Sequence, residues 1–251
     1  MTGPTIDLSG KTALVTGASR GIGLSIAQAL ASSGADVIGL GASITAQALN
    51  EAFAGLPGRF TPMDCDLSDR DRIEAMLSEL DKTEVDILVN NAGIIRRSPA
   101  AEHSLEDWDA VMAVNLNAVF LLSRALGARM LERGGGKIIN IASVLSFQGG
   151  VLVPGYAAAK GAIAQLTRAL ANEWAQGGVN VNAVAPGYVA TDNTAALQAD
   201  ETRTAALMDR TPVGRWGRPE EIAWPVAFLA SDLADFIHGT VLTVDGGWLS
   251  R

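Results

Sequence analysis

Short β-branched and aliphatic runs alternate with longer stretches of helical periodicity almost to the end of the chain. Seven runs read as strands, near Thr12 to Thr16, Asp36 to Leu40, Arg59 to Met63, Asp86 to Val89, Gly136 to Ala142, Val179 to Ala185 and Thr240 to Val244. The segments between them read as helices over Gly21 to Ser33, Ile44 to Ala54, Asp69 to Leu80, Leu105 to Glu132, Gly155 to Ala175 and Pro219 to Leu229. Strictly alternating strand and helix predicts βαβ units joined into a parallel sheet, an α/β doubly wound architecture of about seven strands with helices on both faces. No linker, low-complexity tract or repeat breaks the pattern, so residues 1–251 read as a single domain. One irregular stretch, Pro186 to Gly217, carries helical character around Ala195 to Asp209 and is long enough to form a lid over a substrate.

Composition narrows the class of protein. The chain has 251 residues, 48% hydrophobic and 18% charged, with 27 glycines, the profile of a compact enzyme or binding domain. A formal charge of -8 argues against a nucleic-acid partner, because phosphate binding draws on clustered Lys and Arg. No apolar run reads as reaching membrane-spanning length, and Met1 to Lys11 lacks a basic and then apolar leader pattern, so the expectation is a cytoplasmic protein without membrane contact. Cys65 is the one cysteine, between Asp64 and Asp66, and reads as structural. His103 and His238 stand far apart without a ligand cluster, so no metal site is expected.

Thr16-Gly17-Ala18-Ser19-Arg20-Gly21-Ile22-Gly23 lies between the first strand and first helix, where backbone N–H groups and the positive helix end can meet a phosphate. Gly17 suits a tight turn, Gly21 a close approach of backbone to pyrophosphate, and Gly23 close packing of helix on strand. This context predicts dinucleotide binding. The second strand ends in Leu40-Gly41-Ala42-Ser43, with no acidic residue to repel a 2′-phosphate. Arg20 could pair with such a phosphate or remain solvated, and both NAD and NADP stay open.

Candidate chemistry centres on Tyr156-Ala157-Ala158-Ala159-Lys160, with Ser143 thirteen positions upstream of the tyrosine. Residues four apart share a helix face, and an adjacent ammonium lowers a phenol's pKa, so Lys160 is expected to bring Tyr156 within reach of neutral-pH proton transfer. Ser143 would hydrogen-bond the same substrate oxygen.

TGASRGIG at 16 to 23, NNAG at 90 to 93, Asn115, Ser143, YAAAK at 156 to 160 and PG at 186 to 187 together resemble the short-chain dehydrogenase/reductase family over nearly the whole chain. That resemblance implies a single Rossmann-like domain and an oxidoreductase with Asn115, Ser143, Tyr156 and Lys160 as catalytic residues, Asn115 holding a water that links Lys160 to solvent. It further implies cofactor contacts from Gly17, Ser19, Arg20, Gly21, Ile22 and Gly23. Asp66 would meet the adenine amino group beside Leu67, and Asn90, Ala92 and Gly93 would line the cleft. Val189 and Thr191 would hold the nicotinamide carboxamide and Lys160 its ribose, with Pro186, Gly187 and Tyr156 as further cofactor contacts.

NNAGIIRR at 90 to 97, ASVLSFQGG at 142 to 150, ANEWA at 171 to 175, the segment from Ala185 to Arg203, GRWGRPEE at 214 to 221 and DGGWLSR at 245 to 251 are similar to members of that family acting on small sugar acids. The implied substrates are of the 2-deoxy-D-gluconate or 2-dehydro-3-deoxy-D-gluconate type, interconverted between secondary alcohol and ketone. A polyhydroxylated carboxylate needs a cation and hydrogen-bonding side chains, for which Arg96, Arg97, Gln148, Tyr188 and Asn193 are candidates. A 3-oxoacyl-[acyl-carrier-protein] reductase and a non-catalytic dinucleotide-sensing scaffold are the alternatives. The net charge disfavours an acidic carrier protein as partner. The resemblance also implies a homotetramer, with Trp248 either in a subunit contact or closing its own pocket.

Overall fold

The computed structural model describes residues 5–42 and 51–251. Seven parallel strands form one sheet: β1 (Thr12–Thr16), β2 (Asp36–Gly41), β3 (Phe60–Asp64), β4 (Ile87–Asn90), β5 (Gly136–Ile141), β6 (Val179–Pro186) and β7 (Val241–Val244), in the order β3-β2-β1-β4-β5-β6-β7. Successive strand residues face opposite sides of the sheet, and both sides are apolar. Val15, Val37, Val89 and Ile139 meet Ile26 and Leu30 of α1 (Gly21–Ser32) and Val226 and Leu229 of the helix Pro219–Ala230. On the other side Leu14, Leu40, Leu88 and Ile138 meet α2 (Arg70–Glu79), α4 (Ala118–Arg133) and α5 (Pro154–Trp174) through Ile73, Leu122, Leu126, Met130 and Trp174. This is the doubly wound sheet that the alternation of elements predicts.

Sequence signals account for most helix ends. Asp69 caps α2 by accepting from the Asp71 and Arg72 amides at 2.9 and 3.2 Å, Pro154 opens α5, and Gly134 ends α4 at φ 77°. Three expectations change. The helix expected over Ile44 to Ala54 lies outside the described residues for 44–50, and residues 51–55 form turns. The helix expected over Leu105 to Glu132 is α3 (Leu105–Met112) and α4 joined through a π-helical turn, Ala113–Asn117, so the helical run continues from Leu105 to Arg133. That run is long and apolar enough to cross a membrane by length and composition, contrary to the reading that no segment reaches that length. Part of its apolar surface nevertheless packs into the core, where Leu122, Leu126 and Met130 are fully covered.

Strand order reverses between β1 and β4, since the chain leaves β1 toward β2 and β3 and then crosses to continue on the other side. Such a reversal opens a crevice at the carboxyl ends of the two strands. Beneath it, buried polar groups brace the sheet. Asn90 Nδ2 on β4 donates to Ser123 Oγ on α4 (3.1 Å) and to Asn140 Oδ1 on β5 (2.9 Å), and Asn140 Nδ2 donates to Thr167 Oγ1 on α5 (3.0 Å).

This network ties the two strands to α4 and to α5, the helix that carries Tyr156 and Lys160, and every member is buried. Asn140→Ala would strand the Asn90 donor and the Thr167 acceptor. The expected cost is about 1–3 kcal/mol, read as a lower urea midpoint with an unchanged slope.

Candidate active site

The crevice holds a cleft of about 460 Å³ along the carboxyl ends of β1, β4, β5 and β6. Another hollow, about 530 Å³, lies beside β2 and β3 and is lined by Val37, Ile38, Phe53, Leu56, Phe60 and the exposed Asp36–Arg59 ion pair. It has none of the candidate chemistry.

One end of the cleft is backbone. Gly17 and Gly21 have φ values of 67° and 54°, and a Cβ on Gly23 would stand 2.0 Å from the Gly17 carbonyl oxygen, so side chains are excluded where a ligand must approach. No side chain caps α1, and its first turn has no acidic residue. Its leading amides therefore face the cleft available to an anion. These features fit a dinucleotide pyrophosphate. Further along, Gly41, Ala42, Cys65, Asp66 and Leu67 line the wall. Asp66 Oδ1 accepts from the Ser68 hydroxyl (2.7 Å) and amide (2.9 Å), which hold its carboxyl below the usual range, so it stays a charged acceptor. Burial, aided by the carboxylates of Asp64 and Asp66, pushes the Cys65 thiol up to about 11, leaving it protonated and unreactive.

At the other end stand Ser143, Tyr156 and Lys160. Ser143 follows β5 and caps a single 3₁₀ turn, accepting from the Leu145 amide at 3.1 Å. Ser146 closes that turn and donates to the Lys160 carbonyl oxygen at 2.6 Å, so the serine loop is fastened to α5 beside its lysine. Lys160 is 4% exposed, and its Nζ donates to the Ile141 carbonyl oxygen at 2.5 Å. Burial pulls its pKa down to about 8.

The expected lowering of the Tyr156 phenol by Lys160 is not what this geometry gives. Burial pushes the phenol above its ordinary value, while the Ser143 hydroxyl and the Arg97 charge act in the opposite direction without cancelling it. Lys160 Nζ, drawn to Ile141, sits 5.6 Å from the ring centroid. The ammonium is engaged by a strand carbonyl instead.

Of the other expected residues, Gly17, Ser19, Arg20, Gly21, Ile22, Gly23, Ala92, Gly93, Pro186, Gly187, Val189, Thr191 and Asn193 also line the cleft. Asn90 does not, because its side chain turns into the buried network described above; Asn91, on the opposite face, lines the cleft instead. Alternation along β4 carried that signal. Asn115 is fully buried in the π turn and commits both ends of its amide to Ile94, accepting from its N–H at 2.8 Å and donating to its carbonyl at 2.9 Å. Its side chain clamps the loop after β4.

The expected substrate residues separate in space. Arg96 is 3.1 Å from Asp107, whereas Arg97 is exposed, has no ion pair among the described residues and does not line the cleft, its charge being the smallest of the effects on the Tyr156 phenol. Gln148 accepts from Arg210 Nη2 at 3.1 Å, and Tyr188 packs edge-on against Trp216 and Trp248 outside the cleft. Arg210 was not legible in advance: its guanidinium lies 3.9 Å over Trp248, a contact no spacing announces. Trp248 is 3% exposed, so its ring is covered within this chain. Among the described residues no group of three His, Cys, Asp or Glu side chains could hold a metal ion.

Comparison with known proteins identifies the family. A family model described as enoyl-(acyl carrier protein) reductase matches residues 17–249. The chain is 54% identical over 248 residues to 2-dehydro-3-deoxy-D-gluconate 5-dehydrogenase of Pseudoalteromonas atlantica, covering 97% of this chain and 98% of that one. The fold matches a putative NAD(P)-dependent gluconate 5-dehydrogenase from Beutenbergia cavernae with bound NADP at TM-score 0.95 and 50% identity, covering 99% and 100% of the two chains. A putative 2-deoxy-D-gluconate 3-dehydrogenase from Agrobacterium tumefaciens with bound NADP matches at TM-score 0.94 and 48% identity, covering 100% of each chain. On this likeness and this geometry, the chain belongs to the short-chain dehydrogenase/reductase family of NAD(P)-dependent oxidoreductases.

Proposed function

We propose that the protein interconverts a secondary alcohol and a ketone on a small sugar acid of the 2-deoxy-D-gluconate or 2-dehydro-3-deoxy-D-gluconate type, using the cleft just described. The observation that carries this reading is the placement of Tyr156, Ser143 and Lys160 at one end of the cleft, with the charge of Arg97 acting on the tyrosine. When bound, the nicotinamide cofactor supplies or accepts the hydride. Tyr156 exchanges the proton of the substrate oxygen, and Ser143 orients that oxygen by a hydrogen bond. Lys160, with its pKa near 8, is poised to exchange protons around neutrality. Arg97 offers the substrate carboxylate a cation with no competing ion pair among the described residues.

The glycine loop and the first turn of α1 would hold the pyrophosphate, with Asp66 at the adenine and Val189 and Thr191 at the nicotinamide. Gly41 and Ala42 put no carboxylate at the end of β2, and Arg20 stands 3.7 Å from Asp192, both exposed, where a 2′-phosphate can draw it away. We therefore read the cofactor as NADP in preference to NAD.

The chain acts as one domain, and residues 186–217 serve as its substrate lid. The two ends of that excursion meet in a bridge in which the Ala190 amide donates to the Gly217 carbonyl and the Gly217 amide to the Tyr188 carbonyl, both at 2.9 Å. Exposed apolar side chains lie on two faces, Leu105, Trp108 and Phe120 on one and Trp224, Leu233 and Phe236 on the other. Two such faces support a homotetramer built from further copies of this chain, in the cytoplasm where the nicotinamide pool is recycled. Light scattering behind a sizing column checks the oligomer and should give four times the 26.0 kDa chain mass.

Assays of 2-deoxy-D-gluconate, 2-dehydro-3-deoxy-D-gluconate and D-gluconate with each nicotinamide, followed by ultraviolet absorbance, should show sugar-acid turnover that is faster with NADP. Arg20→Gln should narrow the gap between the cofactors by about tenfold, the loss expected for one charge-assisted hydrogen bond. Reduction of acetoacetyl thioesters without sugar-acid turnover would assign the protein to acyl-carrier chemistry instead.

Tyr156→Phe keeps the ring but removes the proton donor. It should lower kcat by about 10²–10⁴-fold and leave cofactor affinity unchanged. In the wild type, alcohol oxidation should rise with pH through the alkaline range, because burial raises the phenol's pKa and the basic form is the phenolate. Loss of cofactor binding in the variant would point to a structural role for the hydroxyl.

A further inference from the structure

The loop after β4 is fastened to the beginning of α5 by contacts that the chemistry above does not use. The Ser98 amide donates to the Leu152 carbonyl oxygen at 3.0 Å, and the Ser98 hydroxyl is 2.6 Å from His103 Nδ1. Leu152 has a φ of 65° and is the one non-glycine residue among those described in the left-handed region. A leucine holds that conformation only where its surroundings over-determine it, and such residues concentrate at functional sites. The imidazole reaches the first turn of α5, since a Cβ on Gly155 would lie 3.6 Å from His103 Nε2. That nitrogen is buried and has no partner among the described residues. Gly155 immediately precedes Tyr156, and Ser98 immediately follows Arg97.

We infer that Ser98 and His103 form a strap that fixes the loop carrying Arg97 against the start of the helix carrying Tyr156, which makes His103 a positioning residue for the proton-transfer group. The charged and polar groups around the phenol are Ser143 from the loop after β5, Lys160 from α5, whose Nζ lies 5.6 Å from the ring centroid and donates to Ile141, and Arg97, whose charge reaches it from the strapped loop. Ser143 and Lys160 are held by the sheet and by α5 itself. Arg97 is exposed and has no ion pair among the described residues, so its distance from the phenol depends on the backbone that carries it. The bond from Ser98 to Leu152 sets one end of that backbone, and the bond from Ser98 to His103 stops the serine from rotating away. The unpartnered Nε2 is the cost of seating the imidazole against an apolar helix face. The strap rests on the reading of Tyr156 as the proton-transfer residue, but its geometry can be tested without turnover.

The chain has two tyrosines. In a Tyr188→Phe background, the tyrosinate absorbance band on alkaline titration reports Tyr156 alone and needs neither substrate nor cofactor. Arg97→Gln should move that titration to higher pH, and His103→Ala should move it the same way. The Arg97→Gln/His103→Ala double variant should go no further than Arg97→Gln, because the strap acts through the arginine. His103→Asn, which keeps a polar group where Nδ1 stands, should restore most of the shift. In turnover, His103→Ala should raise KM for the sugar acid by about tenfold, the value of one charged hydrogen bond, with NADP affinity unchanged. An unmoved titration in His103→Ala, or shifts that add in the double variant, would overturn the strap. A strap-dependent titration without sugar-acid turnover would leave the strap standing and sink the substrate reading alone.

Discussion

The crevice between β1 and β4 exists because two strands running the same way send their chains to opposite sides, and something must hold their ends apart yet in register. Thr16 and Asn91 do this. Thr16 Oγ1 accepts from the Asn91 and Ala92 amides, both at 2.9 Å, while Asn91 Nδ2 donates back to the Thr16 carbonyl at 2.9 Å and the Gly17 carbonyl at 3.3 Å. Those bonds satisfy the backbone groups that the strand reversal strips of ladder partners. They also dictate the glycines, because the Asn91 amide fills the space where a Gly17 or Gly23 side chain would stand: a Cβ there would lie 2.9 or 2.4 Å from Asn91 Nδ2. The glycine loop is thus shaped by its neighbour strand as much as by its ligand.

The opposite end is governed by burial. Tyr156 and Lys160 share a helix face, yet desolvation acts on both and in opposite directions, raising the phenol and lowering the ammonium, so each is pushed toward its neutral form. The same dryness strengthens whatever charge does reach the site. The serine loop, the lysine and the strand end are joined through Ser146 and Ile141 into one rigid piece, whereas the arginine arrives on a loop.

Outside the cleft, the excursion is held by the end of the chain. The Val213 amide donates to the Gly246 carbonyl at 3.1 Å, Arg251 donates to the Asp209 carbonyl at 2.8 Å, and Arg210 stacks on Trp248 while reaching Gln148. Arg210 thereby joins three segments distant in sequence: the loop after Ser143, the helix Glu201–Arg210 of the excursion, and the C-terminal turn. The excursion is tied down at its base and along its outer edge.

The amino-acid sequence by itself determined the strand and helix alternation, hence the parallel sheet, and it determined the glycine loop and the Ser143, Tyr156 and Lys160 spacing, because these depend on neighbours within one or two turns or on a single strand–helix junction. Tertiary structure decided the rest. It committed the Asn115 amide to Ile94, and it paired Arg96 with Asp107 while leaving Arg97 without an ion pair among the described residues. It also turned Lys160 toward a strand carbonyl rather than toward the phenol. Each of these outcomes is a choice among partners brought together by chain crossings of tens of residues, and burial, which sets the electrostatics of the site, is a property of the packed molecule that no local spacing carries.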